Sequence, residues 1–434
     1  MELKDLFLTP IYLGIFYAIA YAVRPRFTNI YTKKYFIPAL TVKFIGAIGL
    51  GVIYQFYYGG GDTFNYFRHV KIIHEAFNKS YEIGIKLLTH SSSADISIYT
   101  NRLYWYDSST EYFVIQVASF FSLLCFNTYT VIALFFAIIS FTGMWAMYIT
   151  FSNLYPGIYN KFSLPVFFLP SVFFWGSGLM KDSLCIGALG WIFYSISHLF
   201  IRKNRLISSS LFGAIGIYVL MSTKLYILLS FAPAALFWIF IENNKRIKST
   251  ALRIALKPLF IIAGAIAAYL IAINITAGDE RFDVDKIGQR TKITKDYLST
   301  YVSSGSAYDI GTLDGSLGSI LKVSPQAVFI SLFRPFIFEA RNPVMFLSSL
   351  EALLFLFLTI NLFYKTGLLK GFRLIISEPV ILFCFLFSII FSIGVGTTSG
   401  NFGTLVRYKI PLMPFYLSAL YIMQYKSRGI LKKN

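Results

Sequence analysis

The sequence predicts an all-α, polytopic membrane protein of about eleven transmembrane helices, with two long outer loops that contain juxtamembrane helices. Three observations predict it. Eleven apolar stretches punctuate the 434 residues, most of them near the roughly 20 residues a helix needs to cross the hydrocarbon. Basic residues fall into every second gap between the stretches. Nearly all of the 20 acidic residues fall into the other gaps, chiefly in two long loops at 58–128 and 275–342. The chain, 1–434, thus reads as a single integral membrane domain with no room for a cytoplasmic one.

Taken in order, the first stretch, 6–23, lacks a basic leader and a small-residue cleavage pattern, so it reads as a retained helix. The second, 36–57, runs into Gly59-Gly60-Gly61-Asp62-Thr63, where three glycines permit a sharp turn and hold an acid at the membrane boundary. The first long loop closes with 113–126, apolar but only about two-thirds of a span. Counting it as a crossing would put every later basic gap outside, so it reads as a juxtamembrane or re-entrant helix. Stretches 129–150, 164–176, 183–201, 206–221, 226–241 and 254–274 follow. The second long loop opens on Asp279, Glu280, Asp283 and Asp285 and passes through Gly- and Ser-rich segments at 303–306 and 311–316, the composition of a mobile lid. It ends in another half-span, 325–338, interrupted by Arg334-Pro335. Stretches 343–364, 379–395 and 410–425 complete the set.

Orientation follows from the charges. One set of gaps holds 20 of the 39 basic residues, with Glu242 and the boundary residue Glu378 as its only acids. Short basic loops stay in the cytoplasm, which puts the C-terminus inside and, after eleven crossings, the N-terminus outside. The net charge of +19 follows largely from this bias and calls for no nucleic-acid partner. Cys125, Cys185 and Cys384 lie in apolar runs, as packing residues do. His69, His74 and His90 show no zinc-binding spacing, and the acidic cluster at 279–285 shows no calcium-loop spacing.

Charges at the outer ends of the spans draw attention next: Asp62, the pair Lys181-Asp182, Lys224, Arg334 with Glu339, and Arg407. Any one boundary cation is ordinarily explained by snorkelling to the interface. Several on one face suggest a shared site. Guanidinium groups fork onto phosphate oxygens and lysines add point charge, so Lys181, Lys224, Arg334 and Arg407 could neutralise a lipid-linked phosphate. Asp62 at the same level could act as general base toward an acceptor hydroxyl. Asp62, Lys181, Arg334 and Arg407 are expected to converge on one outward-opening cavity of roughly 300–1,000 Å³, partly roofed by residues 275–325. Arg407, read as interfacial, is expected to contribute little to packing. Inside the spans Lys43 and Glu351 are the main charged exceptions, and Glu351 should meet an Arg, a Lys or a polar pocket.

The stretches Leu169-Pro170-Ser171-Val172-Phe173-Phe174-Trp175-Gly176-Ser177-Gly178-Leu179-Met180-Lys181-Asp182 and Asn401-Phe402-Gly403-Thr404-Leu405-Val406-Arg407-Tyr408 carry a resemblance. With the Gly-rich acidic start of the first loop, its half-helices and the Arg407-Tyr408-x-x-Pro411 turn, the chain resembles bacterial polytopic glycosyltransferases of the GT-C superfamily. Within these it is most similar to O-antigen and exopolysaccharide polymerase-like proteins. The resemblance implies a substrate carried on polyprenyl phosphate or diphosphate, handled on the periplasmic face of the bacterial inner membrane. By that likeness Asp62 is the acidic loop residue and Arg407 a phosphate-binding arginine. The chain departs from the metal-dependent members, because Asp62 is followed by Thr63 with no second carboxylate at the Asp-x-Asp spacing. That departure favours metal-free inversion without a cofactor. Two rival readings are a transporter or flippase for the same lipid, and a non-catalytic membrane scaffold. A flippase needs polar residues along a path through the bilayer, and beyond Lys43 and Glu351 the spans hold few. A scaffold leaves the outer charges unexplained.

Overall fold

A computed structural model describes residues 2–247, 249, 287–300 and 306–431. The expected span 254–274, the acidic cluster at 279–285 and a portion of the expected lid lie outside the described residues. Among those described, the secondary structure is helical without strands, and an isolated bridge pairs Ala307 with Asn401. The helices are α1 (Leu3–Phe27), α2 (Lys33–Val52), α3 (Asp62–Lys79), α4 (Tyr81–Leu88), α5 (Ser97–Thr100), α6 (Ser109–Leu124), α7 (Tyr129–Leu154), α8 (Pro170–Trp175) and α9 (Lys181–Ile196). There follow α10 (Leu206–Thr223), α11 (Leu225–Asn244), α12 (Ile287–Thr300), α13 (Leu317–Phe333), α14 (Pro343–Thr366), α15 (Leu368–Ser377), α16 (Pro379–Thr398), α17 (Phe402–Tyr408) and α18 (Met413–Leu431).

Eight helices among the described residues are long and apolar enough to cross a membrane: α1, α2 with its π-helical extension to Tyr57, α7, α9 extended to Arg202, α10, α11, α14 and α16. The protein is a multi-pass, all-α membrane protein. Two shorter apolar helices, α6 and α13, correspond to the half-spans of the two long loops. The last expected stretch, 410–425, forms a helix only from Met413 and continues to Leu431.

Small residues set the closest helix approach. A methyl group added at Gly143 of α7 would overlap the backbone of Gly187 on α9, and one at Gly190 would overlap that of Gly143. Such small-residue seams let apolar helices pack backbone to backbone, where lipid supplies no hydrophobic drive to associate. Next to the seam, Phe193, Phe231, Phe383, Phe387 and Phe415 interlock, with Phe193 stacked on Phe383 at 5.6 Å.

The first loop is a small helical layer. Along α3 the buried residues Tyr66, Phe67, Val70, Ile73, Ala76 and Phe77 recur at helical spacing, the mark of one face packed inward. That layer is pinned to the start of α7, where Thr63 and Tyr129 share a hydrogen bond of 2.8 Å and Phe64 stacks on the Tyr129 ring. The N-terminus joins at the same end. Asp5 accepts the Thr130 amide at 2.8 Å, capping α7, and Glu2 pairs with Lys71 at 2.5 Å.

Stretch 164–176, expected as one span, is broken. A π-helical turn, Leu164–Phe168, gives way at Pro170 to α8, and the chain bends again at Gly176 before α9. Prolines 165 and 170 remove two amide donors and explain the interruption. Broken backbone in hydrocarbon persists only where protein satisfies it. Glu351 of α14 does so at the start of α8, accepting the Ser171 amide at 2.7 Å and the Ser171 hydroxyl. At the other end the Gly176 carbonyl accepts from Lys43 at 2.9 Å and from Ser140 at 2.6 Å. An acid at the amino end and a base at the carboxyl end also suit the helix dipole. These contacts account for both charged residues inside the spans.

The second half-span begins at Leu317, eight residues before the expected start at Pro325. Ser316 caps it by accepting the Ser319 amide at 3.1 Å, and Pro325 is tolerated inside because the Ser324 hydroxyl donates to the Leu321 carbonyl that proline cannot serve.

Candidate functional site

Three consecutive glycines with φ of 69°, 138° and 121° bring the chain from the end of α2 into α3. A side chain at Gly61 would also press on the Tyr54 ring, 2.8 Å from the added carbon, so this turn suits glycine on two counts. It delivers Asp62 as the first residue of α3, with its side chain 47% exposed.

Arg407 comes from α17, a short helix capped by Asn401, whose side chain accepts the Thr404 amide at 2.9 Å. Its guanidinium is 14% exposed and spans two acids, with Nη1 donating to Asp62 and Nε to Asp182, both at 2.7 Å. Asp182, on the first turn of α9, is buried and accepts on its other oxygen from Lys224 at 2.5 Å. Lys224 stands at the junction of α10 and α11, its ammonium 4.5 Å from the Tyr408 ring centre. Trp175, at the end of α8, lies 6.0 Å from the Arg407 guanidinium. Four segments thus meet in one chain of charges, Asp62–Arg407–Asp182–Lys224, two carboxylates against two cations.

The other expected residues stand beside this network without joining it. Lys181 turns to Glu111 at the start of α6 and donates to Thr110 at 2.9 Å. Burial alone would raise the Glu111 carboxyl, but the Lys181 ammonium and the Ser108 and Thr110 hydroxyls outweigh it and hold the group at about 2. Arg334 forks onto Glu339, with Nε at 3.1 Å, and its carbonyl accepts from the buried Lys409 at 2.8 Å. Its guanidinium packs 4.9 Å from the Phe402 ring, at the opposite end of α17 from Arg407. All four cations expected on phosphate are therefore already paired with a carboxylate. The charge most open to solvent in the network is Asp62. Arg407, expected to matter little to packing, instead neutralises a buried acid.

Sequence reasoning did not single out Glu111, Trp175 or Lys409. Glu111 opens an apolar half-helix, a place where an acid suits the helix dipole, and Lys409 lies two residues beyond Arg407; both were visible as charges, not as partners. Beside the site, His69 is buried on α3 with neither ring nitrogen hydrogen-bonded, 4.2 Å from the Tyr104 ring centre and 5.2 Å from that of Trp105. Burial, reinforced by Arg68, depresses it to about 4. Among the described residues, no three or more His, Cys, Asp or Glu side chains gather as a metal-binding group.

No protein-family model, curated protein or solved structure matches the chain.

Proposed function

We propose that the protein transfers sugars from a polyprenyl-phosphate- or diphosphate-linked donor, either extending a chain of repeat units or adding a single sugar. The observation that carries this reading is a half-exposed carboxylate, Asp62, hydrogen-bonded to a largely buried arginine that a second acid holds in place. The acceptor hydroxyl gives its proton to Asp62 as its oxygen bonds to the sugar carbon and the bond from that carbon to the leaving phosphate breaks. Protonation removes the charge that Asp62 offers Arg407, just as negative charge grows on the phosphate. Arg407 Nη1 can then pass from one anion to the other while Asp182 still fixes Nε. A single displacement of this kind inverts the sugar centre and uses one carboxylate. The Asp62 face is then the periplasmic face of a bacterial inner membrane, in a chain of about eleven crossings whose C-terminus is cytoplasmic.

The test is turnover of a radiolabelled polyprenyl-diphosphate sugar in proteoliposomes. Asp62→Asn is expected to lower kcat by on the order of 100-fold or more with the protein intact, the scale of general-base loss. An Asp62→Asn protein with full turnover would remove the residue from the chemistry.

The broken crossing favours a second reading. Discontinuous helices with charged partners inside the membrane are the usual setting of transport sites, and α8 with Glu351 and Lys43 is such a setting. Translocation of a fluorescent lipid-linked saccharide by the purified protein, unaffected by Asp62→Asn, would favour transport over transfer.

A further inference from the structure

Helix α15 is ten residues long and wedged between the end of one apolar span, α14, and the start of another, α16. Gly367, with φ of 78°, makes the turn into it, and Pro379 starts the span that follows. Lys426, near the end of α18, pairs with Glu378 at 2.9 Å, so α15 lies at the end of the bundle away from Arg407. Its position between two span ends puts it where hydrocarbon gives way to headgroups.

The helix presents three faces. Gly371 and Leu374 turn inward, Gly371 against the Phe363 ring. Leu369, Phe372 and Ile376, at helical spacing, form an apolar stripe exposed to 87%, 57% and 62%. Lys370 and Arg373 form a third, basic face, extended by Lys365 from the last turn of α14; all three are exposed and lack an ion pair among the described residues. Tyr364 beside them is 86% exposed, as interfacial tyrosines are. An apolar stripe flanked by unpaired cations is the pattern of a helix lying in the plane of the interface.

We infer that α15 is a lipid-binding interfacial helix, with the 369–372–376 stripe among the acyl chains and Lys365, Lys370 and Arg373 on the phosphates of anionic lipids. Charge complementarity commits it to an anionic bilayer: a protein partner would leave three cations in need of acids, whereas a leaflet of anionic lipid supplies them. Each cation is expected to strengthen that preference by about fivefold.

The test places the full chain in nanodiscs of phosphatidylcholine alone or with about 30 mol% phosphatidylglycerol, enough to set a negative surface potential, and follows amide hydrogen exchange in α15. Exchange is expected to slow several-fold with the anionic lipid. That difference should vanish in K365Q/K370Q/R373Q while α16 stays protected. Should the triple variant fold poorly, raising salt from about 0.05 M to about 0.5 M on the unaltered protein should erase the same difference, because screening shortens to a few ångströms. Equal exchange in the two lipids, or a difference that survives both the triple variant and high salt, overturns the inference. Protection that grows with protein concentration in neutral lipid would mark the face as a protein contact and overturn it as well.

Discussion

Asp182 depends on two cations from distant regions of the chain. Leaving a buried carboxylate short of one partner costs far more than loosening an exposed pair. Arg407→Ala is therefore expected to lower stability by about 3 kcal/mol, whereas Asp62→Asn at the half-exposed end should cost less than about 1 kcal/mol. Thermal unfolding in detergent checks both, and equal effects would contradict the ranking. His69 gives a pH signature. Its ring is held neutral in the fold at about 4, while the unfolded chain titrates near 6.5. The folded-state value is depressed, so the associated stability is intact above pH about 6.5, declines as pH falls toward 4, and declines no further below. Solvent screening keeps the loss below the full value of that shift, at about 1–2 kcal/mol, and His69→Phe should flatten that limb of the stability profile. A profile unchanged by the substitution would show that His69 is not the titrating group.

The α7–α9 seam and the broken crossing test the fold one element at a time. Gly143→Leu must push the α7 and α9 backbones apart and is expected to cost roughly 3 kcal/mol or more, read as a lower unfolding temperature. Glu351→Ala leaves the Ser171 amide and hydroxyl without their acceptor inside the membrane and should cost about 2 kcal/mol. Glu351→Gln, which keeps an acceptor oxygen, should cost clearly less; if Gln were as damaging as Ala, the charge and not the hydrogen bond would be what matters. The long spans were legible because hydrocarbon demands length and apolarity from each one locally. The start of α13 was not, since Pro325 reads as a helix start until Ser324 is seen to take over the carbonyl that proline leaves. The break between Phe168 and Pro170 was marked in the sequence by its prolines alone, because the groups that make it tolerable, Lys43 and Glu351, lie on other helices.

For the whole molecule, a reporter fused after Lys203 is expected on the cytoplasmic side and one after Thr100 on the other; a cytoplasmic signal from Thr100 would reverse the orientation proposed above. Sequence singled out Asp62, Asp182, Lys224 and Arg407 as charges at one level. It could not pair them, because Arg407 lies 345 residues from Asp62 and 225 from Asp182, and spacing is silent on contacts at that range. That separation has a consequence for how the protein is made. Chains are synthesised from the N-terminus, so Asp62 and Asp182 enter the membrane long before Arg407 exists, and Lys224 is the first network cation to reach Asp182. The network closes only when α17 emerges, after every other member has been made. Its closure thus reports that α17 has been made and has docked: chains stopped before residue 407 should insert yet remain loose around Asp182, and pulse-chase labelling should show membrane proteases clearing them faster than chains that include α17.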